Sequence, residues 1–190
     1  MNTLRRRLLQ AGAAGLAVPA LPHAFAAQPA PQSAAAAEAA LKAATGPGWA
    51  TWKGGPTPSL DLPDLEGHTR GLDEFLGLVV IVNFWATWCE PCQQEIPAMS
   101  ALADLHAEDG LRLLAVNNGE SREKIDAFLE KLQIQGLVLH DRNGTAVRDW
   151  KVVGMPANFV VDREGKIRYW HLGALDWAKP AVADPVIALL

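Results

Sequence analysis

The sequence is poor in cysteine, with only two among its 190 residues, Cys89 and Cys92. A framework of several disulfides is therefore excluded, and the two thiols can pair only with each other or with another molecule. The body of the chain carries no run of basic residues, which argues against nucleic acid as a partner. The five histidines are scattered without the spacing of metal ligands, so we expect no metal site.

The N-terminal segment has only a short apolar run, residues 8–21, which is rich in Ala and Gly. Such a run is too short for a typical transmembrane helix. A basic start, Arg5 to Arg7, precedes it, and a small-x-small site, Ala24 to Ala26, follows it. This three-part pattern predicts an export signal over residues 1–26, and hence a periplasmic or otherwise exported protein.

The stretch "RRRLLQ" resembles a twin-arginine export motif, which carries folded chains across the membrane. An ordinary secretion signal that happens to have three arginines is one alternative, and an uncleaved N-terminal membrane anchor is another. Cleavage after Ala26 would remove three arginines and no acidic residue, so the formal charge would fall from −4 to −7.

Residues 27–57 are rich in Ala, Pro and Gly. Residues 33–44 have the propensity to form a helix but no apolar stripe to bury. We therefore predict a spacer here, with Trp49 and Trp52 docking onto a domain that occupies residues 58–190.

From residue 60 onward, strand and helix patterns alternate. The apolar run at residues 78–86 is typical of a central strand buried on both faces, and a helical pattern follows at residues 91–106. Two strands at residues 157–172 face each other across a turn that contains Gly165. These patterns predict an α/β fold with a mixed sheet.

Cys89-Glu90-Pro91-Cys92 lies where the buried strand ends and the helix begins. Unpaired backbone N–H groups and the positive end of the helix dipole stabilise a thiolate at such a position. We expect Cys89 to be exposed at the turn and Cys92 to be shielded in the first helical turn. That arrangement supports attack on a disulfide by one sulfur and release by the other.

The segment "NFWATWCEPC" resembles the active-site segment of thioredoxin-like proteins, and is most similar to the exported TlpA/ResA-type thiol-disulfide oxidoreductases. The resemblance extends from about Pro58 onward and includes "PSLDLPDLEG", Pro97, "VVGMPANFVVDREGKI" and "LGALDW". It implies a thioredoxin-like fold, with a central mixed β-sheet flanked by helices on both faces.

The resemblance also implies a cis peptide bond between Met155 and Pro156, facing the cysteine pair. A cis proline makes a tight turn, which would present the Met155 backbone to a bound peptide. Trp88 is expected to form an apolar wall beside Cys89, so these three residues are the predicted substrate-binding residues.

Asn83 stands where cytoplasmic thioredoxin has a buried, proton-carrying aspartate. Glu95 follows Cys92 by three residues on the same helical face and matches a glutamate credited with tuning the cysteines in ResA-like proteins. We predict that Glu95 has a raised pKa and accepts the Cys92 proton. A solvated acid near a helix start is the alternative.

Glu90 and Pro91, between the cysteines, are expected to modulate the pair. The Glu90 charge would oppose thiolate formation at Cys89 and so favour a reductant over a strong oxidant. An exposed turn residue of little effect is the alternative for Glu90.

These features predict an exported protein-disulfide reductase with Cys89, Cys92 and Glu95 as catalytic residues and no cofactor besides the redox-active disulfide. The family resemblance suggests apocytochrome c or respiratory copper-site proteins as partners, and a membrane thiol donor as reductant. A copper-binding thiol module is the alternative function. A peroxiredoxin-type peroxidase is disfavoured, because the Pro-x-x-x-Thr-x-x-Cys segment is absent.

Overall fold

The computed structural model describes residues 34–190. The predicted signal peptide and the start of the predicted spacer lie outside the described residues. None of the helices within residues 34–190 has the length and apolar composition of a membrane-spanning segment.

A six-stranded mixed sheet organises the chain, in the order β1-β8-β7-β4-β5-β6. Its strands are β1 (Ala50–Thr51), β4 (Val79–Trp85), β5 (Leu111–Asn118), β6 (Leu137–Asp141), β7 (Ala157–Val161) and β8 (Ile167–Leu172). A separate hairpin consists of β2 (Asp61–Pro63) and β3 (Thr69–Gly71). The helices are α1 (Ala34–Ala44), α2 (Glu90–Leu105), α3 (Arg122–Leu129), α4 (Thr145–Asp149) and α5 (Pro180–Ile187), with a short 3₁₀ turn at Leu72–Phe75.

The central strand β4 pairs in parallel with β5 and antiparallel with β7. All seven of its residues are buried, because both faces of the sheet are covered. On one face, α2, α3 and α5 supply apolar side chains to a core that includes both cysteines. On the other face, the β2–β3 hairpin and α4 supply side chains such as Leu62 and Ala146 to a second core. The expected thioredoxin-like arrangement is confirmed.

The predicted spacer differs from the structure over its described residues. α1 is a regular helix, and Ala44 at its end is fully buried. β1 then extends the main sheet by pairing with β8, and the His171 ring Nδ1 contacts the Gly48 carbonyl oxygen at 3.0 Å. The domain therefore begins well before residue 58. An apolar stripe is not needed, because most of α1 is exposed and the segment is attached through Ala44 and the backbone pairing of β1.

The two tryptophans of this segment dock as predicted. Trp49 donates from Nε1 to the Val182 carbonyl oxygen at 2.9 Å, and its ring meets Trp177 edge-on, with the ring centroids 5.5 Å apart. Trp52 packs edge-on against Phe159 on the opposite face of the sheet. The segment is thus attached to both cores of the domain.

Candidate active site

The cysteine pair lies at the start of α2, just after β4. Cys89 is the residue immediately before the helix, and its Sγ accepts a hydrogen bond from the Cys92 backbone N–H at 3.3 Å. The two residues form a disulfide, with an S–S distance of 1.98 Å and a Cα–Cα distance of 5.3 Å. The predicted placement at the junction of strand and helix is therefore confirmed.

The expected exposure of Cys89 is wrong. Its side chain packs with the core under α2, and Cys89 is only 3% exposed, whereas Cys92 is 0% exposed. The order of accessibility is as expected, but little of the Cys89 side chain is open to a partner. The exposed side chains around the pair belong to the residues next to the cysteines in sequence.

Trp88 is 69% exposed, and Glu90 and Pro91 are also exposed. The Met155–Pro156 bond is cis, as the resemblance implies. Met155 packs against the core that contains both cysteines. Val153, two residues earlier, is 71% exposed and adds an apolar side chain that the sequence reasoning did not select.

Glu95 lies one helical turn beyond Cys92 and is almost completely buried, with 3% exposure. Its Oε1 accepts hydrogen bonds from Asn83 Nδ2 at 2.9 Å and Asn158 Nδ2 at 3.1 Å. Its Oε2 accepts one from the Leu175 backbone N–H at 2.9 Å. The carboxylate is therefore surrounded by neutral donors, with no cation among them.

Burial raises the pKa of Glu95 to about 7. The hydrogen bonds from Leu175, Asn158 and Asn83 favour the charged form and oppose this rise. Trp177 also opposes it, although its Nε1 makes no hydrogen bond of normal geometry. The predicted raised pKa is confirmed, and it is suited to proton transfer near neutral pH.

A second buried carboxylate, Glu120, was not predicted from the sequence. Its Oε2 accepts from the Thr87 backbone N–H at 2.6 Å and from Asn117 Nδ2 at 2.9 Å, and its Oε1 accepts from the Thr87 hydroxyl at 2.6 Å. Gln93 Nε2 donates to the Thr87 carbonyl oxygen at 2.7 Å. These contacts hold the loop that leads into Cys89. The available signal was the position of Glu120 just after a buried strand.

Burial raises the pKa of Glu120, but the two Thr87 donors and Asn117 outweigh it, so this pKa lies below its usual range. A carboxyl group with a depressed folded-state pKa stabilises the fold above its unfolded-state pKa. That stabilisation is lost as the pH falls through the folded-state value. Glu120 therefore ties the loop most firmly at neutral pH.

We expect Glu120→Ala to lower the free energy of unfolding at pH 7 by about 2–3 kcal/mol, because buried donors lose their acceptor. Glu120→Gln should cost less than half as much, since the amide oxygen can replace Oε2 and the Thr87 hydroxyl can turn to accept from the amide. Urea unfolding at pH 7 and at pH 4 measures both, and the Ala deficit should shrink at pH 4. Equal losses for the two variants would contradict this account of the loop.

Within residues 34–190, no three His, Cys, Asp or Glu side chains form a group that could hold a metal ion. Asn83, Glu95 and Asn158 lie together near Cys92, and Glu120 lies behind Thr87. The site thus contains one disulfide and two buried carboxylates in different environments.

Comparison with known proteins identifies the family. Residues 54–170 match the model of the AhpC/TSA family. The thiol-disulfide oxidoreductase ResA of Geobacillus kaustophilus (strain HTA426) is 33% identical over 122 residues, which cover 64% of this chain and 70% of that protein. The ResA of Geobacillus thermodenitrificans is 34% identical over 115 residues, and 66% of its length is spanned.

The thiol:disulfide interchange protein DsbE of Allochromatium vinosum is 35% identical over 139 residues, which cover 70% of this chain and 74% of that protein. Among solved structures, one assigned as a DsbE from Chlorobium tepidum superposes with a TM-score of 0.68 at 31% identity, covering 74% of this chain and 99% of that chain. The closed Cys89–Cys92 pair fits the redox centre of such proteins. The chain therefore belongs to the AhpC/TSA family, as a thioredoxin-like thiol-disulfide oxidoreductase of the ResA and DsbE type.

Proposed function

We propose that this protein is exported and reduces disulfide bonds in other exported proteins. One observation carries the proposal: a disulfide closes at the start of α2, one helical turn before a buried carboxyl group whose pKa is about 7. This arrangement supplies both the exchanging sulfurs and a proton acceptor for the buried sulfur.

The proposed cycle starts from the reduced pair. The Cys89 thiolate attacks one sulfur of the substrate disulfide, so that a mixed disulfide forms and the other substrate sulfur leaves as a thiolate. Glu95 then takes the proton of Cys92, whose thiolate attacks the Cys89 sulfur and releases the second substrate sulfur. The substrate gains two electrons, and Cys89 and Cys92 return to the disulfide.

The exposed groups favour a protein substrate. The exposed Trp88 side chain offers apolar surface next to a nearly buried sulfur, so a partner must bring its disulfide into close contact. The Met155 backbone, just before Pro156, is the proposed peptide-binding segment. We infer that the substrates are the haem-attachment cysteines of apocytochrome c or the thiols of respiratory copper sites.

The exposed Glu90 carboxyl group between the cysteines supports a reducing role, because a nearby negative charge opposes the thiolate form of Cys89. An exported reductase must receive electrons from a membrane thiol donor, since no reducing thiol pool exists outside the cytoplasm. Pro91 occupies the first turn of α2, where its missing N–H costs no hydrogen bond.

The substrate proposal is tested with the purified, reduced protein and an oxidised Cys-x-x-Cys-His peptide. We expect two new peptide thiols for each Cys89–Cys92 disulfide formed, measured by thiol labelling and mass spectrometry. A peptide with the same two cysteines and alanine in place of the histidine is the control. Equal rates on both peptides would contradict selectivity for haem sites.

Export makes a separate prediction. Cell fractionation and N-terminal sequencing should recover a protein outside the cytoplasm that begins near Ala27, after cleavage close to Ala26. Replacing both Arg5 and Arg6 with Lys should block export if the twin-arginine route is used, whereas unchanged export would assign the general secretion route. Uncleaved protein in the cytosol would contradict export altogether.

A further inference from the structure

Two asparagines face each other on the central strands of the sheet. Asn83 in β4 and Asn158 in β7 are direct partners in the antiparallel register, and both are fully buried. Directly opposed residues of an antiparallel pair point to the same face of a sheet. Here that is the face covered by α2, and both amides reach Glu95.

The hydrogen bonds fix how each amide is turned. Asn83 Nδ2 donates both to Glu95 Oε1 at 2.9 Å and to Asn158 Oδ1 at 2.7 Å. Asn158 Nδ2 donates to Glu95 Oε1 at 3.1 Å and Oε2 at 3.3 Å. Turning either amide over would place an oxygen against the carboxylate, so the two asparagines lock each other as donors.

The arrangement carries a cost at one atom. Asn83 Oδ1 is buried and has no hydrogen-bond partner in the described structure. An unpaired buried acceptor is unfavourable, and it is tolerated here because both hydrogens of the same amide are engaged. Both amide hydrogens of Asn83 are therefore hydrogen-bonded, one of them to the carboxylate, while its oxygen is left without a partner.

We propose that Asn158, together with Asn83, is a positioning residue that holds the Glu95 carboxylate in place and keeps it ionisable one turn from Cys92. The inference rests on the proposed function, in which Glu95 accepts the Cys92 proton. Neutral donors stabilise the carboxylate without adding a charge that would draw its proton permanently away. Burial acts in the opposite direction, and the remaining donor to the carboxylate is the Leu175 N–H.

The test measures the Glu95 carboxyl titration in the purified oxidised protein by ¹³C NMR. Asn158→Leu removes the amide donor while keeping the same branching and number of side-chain heavy atoms, and should raise the Glu95 pKa by about one unit or more. Asn158→Ser keeps a polar side chain but is too short to reach the carboxylate. It replaces the Leu variant if that variant does not fold, and it should also raise the Glu95 pKa. Ser100→Ala, at a buried polar residue of the same helix that accepts from the Gln135 N–H, should leave it unchanged.

An unchanged Glu95 titration in the folded Asn158 variants would overturn the inference. The pH profile of turnover shows whether the positioning role of Asn158 or the proton-acceptor role of Glu95 fails. If the Glu95 pKa rises and the profile shifts with it, both roles are supported. If the pKa rises and the profile does not move, Asn158 still positions Glu95, but Glu95 is not the proton acceptor.

Discussion

Replacing Cys92 with serine is expected to leave Cys89 joined to partner proteins as stable mixed disulfides, with turnover reduced below detection. The reason is that the attacking sulfur remains while the resolving sulfur is lost. Cys89→Ser should abolish turnover equally but capture few or no partners, because Cys92 is fully buried beneath the start of α2. Non-reducing gels of cells expressing each variant measure the difference, and mass spectrometry of the trapped species names the substrates.

The double variant, with serine at both positions, is the control for non-specific capture. Abundant adducts with Cys89→Ser and none with Cys92→Ser would reverse the assigned roles. Because Cys89 is itself only 3% exposed, the trap also tests whether Trp88 guides partners to the sulfur. Replacing Trp88 with Ala in the Cys92→Ser background should reduce the yield of adducts.

Replacing Glu95 with glutamine is expected to slow release of the mixed disulfide by roughly ten- to a thousandfold, the usual contribution of a positioned general base. In the parent protein the release rate should rise as the pH increases through about 7, where Glu95 ionises, and then level off. The variant should lose this rise, because an amide cannot take the proton. Stopped-flow release kinetics between pH 5.5 and 8.5, in roughly half-unit steps, measure both effects.

A structural cost accompanies this substitution. The amide NH₂ replaces an oxygen that accepts from Asn158 or the Leu175 N–H, and a lost acceptor costs about 1–3 kcal/mol. Glu108→Gln is the matched control, since it removes an exposed carboxylate beyond the end of α2, away from the cysteine pair. If Glu95→Gln releases substrate as fast as Glu108→Gln and with the parent's pH profile, the proton leaves Cys92 by another path.

Much of the fold could be predicted because its signals are local. The uninterrupted apolar run before the cysteines gave the central strand, since a strand covered on both faces needs no polar alternation. Gly165, with φ of 76°, occupies the left-handed position of the β7–β8 turn, as its sequence context predicts. Glu95 was selected because it lies three residues after Cys92 on the helix and matches a glutamate of ResA-like proteins.

The predictions that were wrong concern features that depend on contacts between distant parts of the chain. The segment before residue 58 was predicted to be a spacer, because alanines offer no apolar stripe. In the structure it pairs with β8 and docks through Trp49 and Trp52. The burial of Cys89 was missed because the exposure of an N-terminal helix residue depends on what packs against it from distant parts of the chain.

The residues that support the site were missed for the same reason. Glu120 is 33 residues from Thr87, and Asn158 is 63 residues from Glu95, so no spacing rule links them. An asparagine within the apolar strand "ANFVV" was a usable signal, because a buried amide requires a hydrogen-bond partner. Identifying that partner required the strand register.

The reduction potential of the Cys89–Cys92 pair tests the central claim most directly. It is measured by equilibrating the purified protein in dithiothreitol buffers and following tryptophan fluorescence and thiol labelling. A reductase is predicted to have a midpoint potential near that of thioredoxin, about −270 mV, or more negative. A value near about −120 mV, as in strongly oxidising exchange proteins, would contradict the reducing role.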